Sequence, residues 1–161
     1  MSDRAANAKR FYEIALGARS ATTSPTDKVT QHAYETMYGL FLMPLRHARD
    51  VRMLEIGLGC NMRYGAGLSL ALWTDFMPHA KIYMAEFNAE CVAKKRVEIA
   101  SRFPRAHVLV GDAGDPATLR RWIQKTGGEF DFIVDDGSHW ARHQWASLTT
   151  LWHALAPGGR F

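Results

Sequence analysis

A chain of 161 residues is long enough for one domain with a substantial core, and 47% hydrophobic with 22% charged residues is a globular balance, not a disordered one. The longest apolar run, around Leu40 to Leu45, is far shorter than a membrane span, and the polar stretch Met1 to Arg10 does not open a signal peptide. The net charge of +4 is spread along the chain, so no nucleic-acid partner is expected, and the cytoplasm is the expected compartment.

From the N-terminus, Asp3 to Arg19 reads as a helix with Phe11, Ile14 and Leu16 in an imperfect apolar stripe. Ser20 to Thr30, rich in Ser and Thr and carrying Pro25, marks a loop between an N-terminal extension and the core, and the division expected is a helical extension over residues 1–50 and a core domain over residues 51–161. A second helix is expected from Gln31 to Ala48, with Tyr34, Met37, Tyr38, Phe41 and Leu42 at helical spacing and Pro44 kinking or ending it.

Four strand-then-helix units follow: Val51–Ile56 with Gly67–Met77, Lys81–Phe87 with Ala89–Phe103, Ala106–Val110 with Pro116–Lys125, and Phe130–Val134 with Ala141–Leu155. The strands are almost continuously apolar, as strands buried on both faces must be. The fold class is therefore α/β, a Rossmann-like doubly wound parallel sheet. Trp73, Trp122 and the helical stripe Trp145, Leu148 and Trp152 are expected in the core, while Lys94-Lys95-Arg96 reads as a solvated face. Cys60 and Cys91 have no metal-ligand spacing and read as free thiols, not as a disulfide. Ala156 to Phe161 reads as a helix stop, a tight turn and the first residues of another strand. That leaves the sheet incomplete at the C-terminus and Phe130–Val134 without its expected neighbour, as in a truncated chain.

Chemistry-bearing residues collect at the strand ends. Leu54-Glu55-Ile56-Gly57-Leu58-Gly59 runs a strand into a glycine turn, where a nucleotide-like ligand crosses the sheet edge in doubly wound folds. Met62 stands where a dinucleotide fingerprint needs its third glycine. Glu86, ending the second strand, can accept hydrogen bonds from ribose hydroxyls. Asp112, ending the third, is placed for an adenine amino group, and Asp115 caps the next helix. The fourth strand ends in Asp135-Asp136-Gly137-Ser138-His139, where adjacent carboxylates call for a compensating charge such as a divalent cation. The imidazole of His139 can take a proton from an acceptor hydroxyl, and Trp140 beside it can line an acceptor pocket.

The stretch from Val51 to Phe161 resembles class I S-adenosylmethionine-dependent methyltransferases, in particular the metal-dependent macrolide sugar O-methyltransferases and related cephalosporin hydroxylase-type proteins. LEIGLG, GAGLSLALW, AEF, GDAGDP, FDFIVDDGSH and LAPGG carry the resemblance, with SPTDK and QHAYETMY as a similar lead-in. It implies a cofactor set of Glu55, Gly57, Gly59, Glu86, Asp112, Ala113 and Asp135, with Asp136 as a Mg²⁺ ligand and His139 as general base. Glu86 replaces the usual aspartate, and Ala113 replaces a frequent glutamine, leaving only a backbone or apolar adenine contact. The relatives' next strand, whose Glu-Asp end supplies further metal ligands, has no counterpart before Phe161.

The implied reaction is methyl transfer from S-adenosylmethionine to a hydroxyl of a small-molecule acceptor. Two other readings stand beside it: an NAD(P)-dependent Rossmann oxidoreductase, and a truncated cofactor-binding fragment without turnover. A nucleic-acid methyltransferase lacks an aromatic-basic platform here. The N-terminal helical extension leaves a homo-oligomer open.

Overall fold

The computed structural model describes residues 3–18 and 25–161, so the first part of the Ser/Thr-rich break lies outside the described residues. Five parallel strands form one sheet in the order β3-β2-β1-β4-β5: β1 Arg52–Ile56, β2 Lys81–Glu86, β3 Ala106–Val110, β4 Phe130–Asp135 and β5 Leu155–Arg160. The reversal of order between β1 and β4 is the switch point at which doubly wound sheets open a crevice. The helices are α1 Asp3–Gly17, α2 Asp27–Thr30, α3 Glu35–Leu42, α4 Leu68–Phe76, α5 Ala89–Arg102, α6 Pro116–Thr126 and α7 Ala141–Leu151. Among the described residues no helix is long and apolar enough to cross a membrane.

Side chains alternate across the central strand and fill two cores. Met53 points to the side of α1, α3 and α4, among Phe11, Leu42, Trp73 and Phe76. Leu54 and Ile56 point to the other side, with Trp122, Phe130 and Leu151. The N-terminal helices thus share a core with the sheet. α1 and α3 approach closely at Gly39, where an added Cβ would lie 2.7 Å from the Ala8 backbone. Helix starts follow capping chemistry: Asn88 Oδ1 accepts from the Cys91 N–H at 2.9 Å, and Asp115 accepts from Ala117 and Thr118 just ahead of Pro116.

Four expectations are corrected. The expected second helix, Gln31 to Ala48, is confined to α3 and a 3₁₀ turn at Met43–Leu45 that takes up Pro44, while the short α2 stands inside the stretch expected as a loop. The break between α2 and α3 follows from Tyr34, whose N–H folds back to the Lys28 carbonyl at 3.2 Å. Trp145 and Trp152 are exposed, at 67% and 57%, because α7 buries its Ser147 and Leu151 side instead, with the Ser147 hydroxyl bonded to Asp135. β4 does have a neighbour: Phe130 pairs with Leu155 and Phe132 with Arg160, across an irregularity in register. Finally, Cys60 and Cys91 form a disulfide, since the turn after β1 and the first turn of α5 bring their Cα atoms to 6.1 Å, inside the range a bridge requires.

Candidate active site

The C-terminal ends of β1 to β4 open into one cleft of about 820 Å³. Of the residues singled out from sequence, Gly57, Gly59, Glu86, Asp112, Ala113, Asp135, Asp136 and His139 all line it, as does Trp140. Glu55 does not. It is fully buried beneath the cleft, accepting from Ser69 Oγ at 2.7 Å and Trp73 Nε1 at 2.8 Å. Glu55 still lies within β1, on the face that carries Trp73, whereas Gly57 follows the strand's last residue and so reaches the rim.

Gly57 turns the chain with φ of 110°, and an added Cβ would stand 2.4 Å from the carbonyl oxygen of Asp136. The first and fourth strand ends therefore meet backbone to backbone. Glu86 accepts from the Asn88 N–H at 2.9 Å and the Cys60 N–H at 3.4 Å, which holds its carboxylate at the cleft wall with lone pairs to spare. Asp112 closes a tight turn on the Gly114 N–H at 2.7 Å. His143, at the start of α7, packs over Gly114 and shares a 2.9 Å hydrogen bond with Ser138.

The two adjacent carboxylates at the end of β4 have separate fates. Asp135 accepts from the Gly137 N–H and from the Ser147 hydroxyl, and so ties β4 to α7. Asp136 is half-open, with one oxygen 2.5 Å from the Lys28 ammonium and the other 3.8 Å from His139 Nε2. His139 itself adopts φ of 58°, uncommon for a residue with a side chain, and projects its ring 67% exposed over the cleft.

Lys28 was missed in the sequence. It lies in the polar break, where neighbouring composition gives no sign that a lysine will be only 2% exposed. Its ammonium is 3.0 Å from Glu55 as well as 2.5 Å from Asp136. Burial by itself pushes the ammonium pKa down, but Glu55 and the other neighbours outweigh it and hold the group protonated. Burial also pushes the Glu55 carboxyl up, with Lys28 pulling against it. The compensating charge expected beside Asp136 is thus supplied in part by a lysine. The remaining Asp136 oxygen is a hard donor on a residue that lines the cleft, one of the several oxygens a dication such as Mg²⁺ takes. Among the described residues, no three His, Cys, Asp or Glu side chains are arranged to hold a metal.

No protein-family model matches the chain. It is 33% identical over 137 residues to the 8-demethyl-8-alpha-L-rhamnosyl tetracenomycin-C 2'-O-methyltransferase of Streptomyces olivaceus, covering 84% of this chain and 34% of that protein. It is 35% identical over 123 residues to the mycinamicin VI 2''-O-methyltransferase of Micromonospora griseorubida, covering 72% of this chain and 28% of the relative. The structure of the methyltransferase MycE from the mycinamycin biosynthetic pathway, in complex with Mg, SAH and mycinamycin VI, superposes with a TM-score of 0.71 at 28% identity, over 98% of this chain and 37% of MycE. This chain is a class I methyltransferase-fold relative of the macrolide and tetracenomycin sugar O-methyltransferases. It spans about a third of the length of the curated relatives it matches. The class I fold accounts for the strand order and for the gathering of acidic residues at the strand ends.

Proposed function

We propose that the chain binds S-adenosylmethionine in this cleft and serves metal-assisted O-methylation of a hydroxyl on a small-molecule or sugar-bearing acceptor. The observation that supports this most is the meeting, in one cleft, of the glycine turn, Glu86 and Asp112 with Asp136 and His139. In this reading residues 51–161 form the cofactor-binding domain, residues 1–50 extend it, and the protein works in the cytoplasm without a nucleic-acid partner.

Gly57 and Gly59 let the cofactor approach the backbone, Glu86 receives the ribose hydroxyls, and Asp112 with Ala113 borders the adenine. The acidic rim suits a ligand with a positive sulfur and no phosphate. Bound there, the cofactor supplies an activated methyl group: the acceptor oxygen forms the new C–O bond as the C–S bond breaks. His139 Nε2 takes the hydroxyl proton. Asp136, through its remaining oxygen, would hold Mg²⁺, which lowers the pKa of a coordinated hydroxyl. Trp140 closes the acceptor side of the cleft.

Calorimetric titration of S-adenosylmethionine and of NAD into the chain, with and without Mg²⁺, tests the assignment. Saturable binding of S-adenosylmethionine alone is expected, and preference for NAD by the folded chain would reject it. His139→Ala is expected to leave that binding intact and abolish methyl transfer where turnover is measured. Normal turnover would remove His139 as the base.

A further inference from the structure

β3 forms one edge of the sheet: β2 lies on one side of it, and among the described residues no strand lies on the other. Its outward backbone N–H and C=O groups are therefore open to a further strand. A groove of about 690 Å³ follows this edge between α5 and the end of α6, and it shares no lining residue with the cleft. Its charge is of one sign. Lys81, Arg96, His107 and Lys125 line it, and no Asp or Glu does. Along α5, Lys94 and Lys95 pair with Glu90 and Glu98, one helical turn away. Arg96, Lys81 and Lys125 pair with no carboxylate among the described residues. The Lys94-Lys95-Arg96 run thus divides, two cations neutralised on the helix and one left to the groove. On the α6 side, burial first and then the Lys81 and Lys125 ammonium groups hold the His107 imidazole below its ordinary pKa. Tyr83 stacks on that ring at 5.2 Å between centroids, and Val110, 44% exposed, adds apolar surface at the strand's end.

We propose that the β3 edge is a docking site for an extended acidic segment of another protein, which adds as a strand and sets its carboxylates against Lys81, Arg96 and Lys125. The open backbone calls for a strand, and the single sign of charge calls for acidic side chains alternating with apolar ones. A second copy offering the same edge would bring like charges face to face. A single-stranded nucleic acid would answer the charge and leave the strand's backbone groups unmatched. This site stands apart from the cofactor cleft and does not depend on the reading of it.

The experiment is fluorescence anisotropy with the full chain and a fluorescein-labelled peptide, Glu-Val-Glu-Val-Glu-Val. Its Lys-Val-Lys-Val-Lys-Val counterpart and an N-methylated form of the acidic peptide are run beside it. Saturable binding of the acidic peptide is expected, about tenfold or more tighter than that of the lysine peptide. Arg96→Glu/Lys125→Glu, both exposed positions, should weaken it by about tenfold without changing Tm. N-methylation, which removes the strand's donors, should cost about tenfold as well. Amides within 106–110 should exchange more slowly in the complex. No binding by the folded chain, or equal binding of the N-methylated peptide, overturns the proposal. So does a short oligothymidylate that binds more tightly and displaces the peptide, which would give the groove to nucleic acid. A dimer of the unaltered chain that already protects amides 106–110 overturns it too, and would assign the edge to a second copy.

Discussion

At the end of β1 the chain turns on backbone geometry, while at the end of β4 it is held by side chains arriving from far away. The first turn is set by the positive φ of Gly57 and Gly59 and by the Gly57 N–H donating to the Ala85 carbonyl at 2.8 Å. The fourth is fixed by Ser147 on Asp135 and by Lys28 on Asp136, the latter separated by 108 positions. The β1 turn is thus shaped by its own backbone and that of its neighbouring strands. The rim depends on charges that another element must deliver, so substitutions on the two sides should fail in different ways.

The largest effect is expected from Gly57→Ala. Its new methyl group would meet the Asp136 carbonyl across the two turns, at a φ that disfavours a side chain, costing about 4 kcal/mol and lowering Tm by about 10 °C. A loss of less than about 1 kcal/mol in thermal denaturation would mean that the two strand ends are not in backbone contact.

That contact illustrates what a sequence can and cannot convey. The strands and the helices from Leu68 onward follow from apolar runs, caps and glycine stops, all of them local. The glycine turn, Glu86 and Asp112 could be placed at the cleft for the same reason, each standing at a strand's C-terminal end or within three residues of it. Glu55 lies off the cleft because its side chain faces Ser69 and Trp73, and which face a strand residue takes is clear only once the two faces are assigned. Lys28 was invisible because its partners lie on other elements. Trp145 and Trp152 were expected inside because helical spacing names a stripe but does not say which stripe the sheet covers. The free-thiol reading of Cys60 and Cys91 failed because spacing in sequence says nothing of a loop folding back on the next helix.

The second expected effect sharpens the contrast on the β1 side. The Cys60–Cys91 bridge fastens the glycine loop, whose Cys60 N–H also donates to Glu86, to the start of α5. In the chain-entropy view, a closed loop with a separation of 31 residues is worth about 3.7 kcal/mol. Cys60→Ser/Cys91→Ser should lower Tm by several degrees and weaken S-adenosylmethionine binding. Two thiols alkylated without prior reduction in the folded, non-reduced chain would show that the bridge does not form.

The smallest effect belongs to the exposed side of α7. Trp145→Gln should change stability by no more than about 0.5 kcal/mol, whereas Trp73→Ala, in the core and bonded to Glu55, should cost about 3 kcal/mol or more. Equal losses at the two tryptophans, measured by denaturant unfolding, would contradict the way α7 faces the sheet.

The bridge between Cys60 and Cys91 also makes a covalent ring of the segment between them, enclosing all of α4 and β2. A protease cutting once anywhere inside that ring would leave two pieces still joined. The cut chain would migrate as one species until a reductant is added. β2, with Glu86 at its end, therefore stays tethered to both the glycine loop and α5 even after its own connection to α4 is severed.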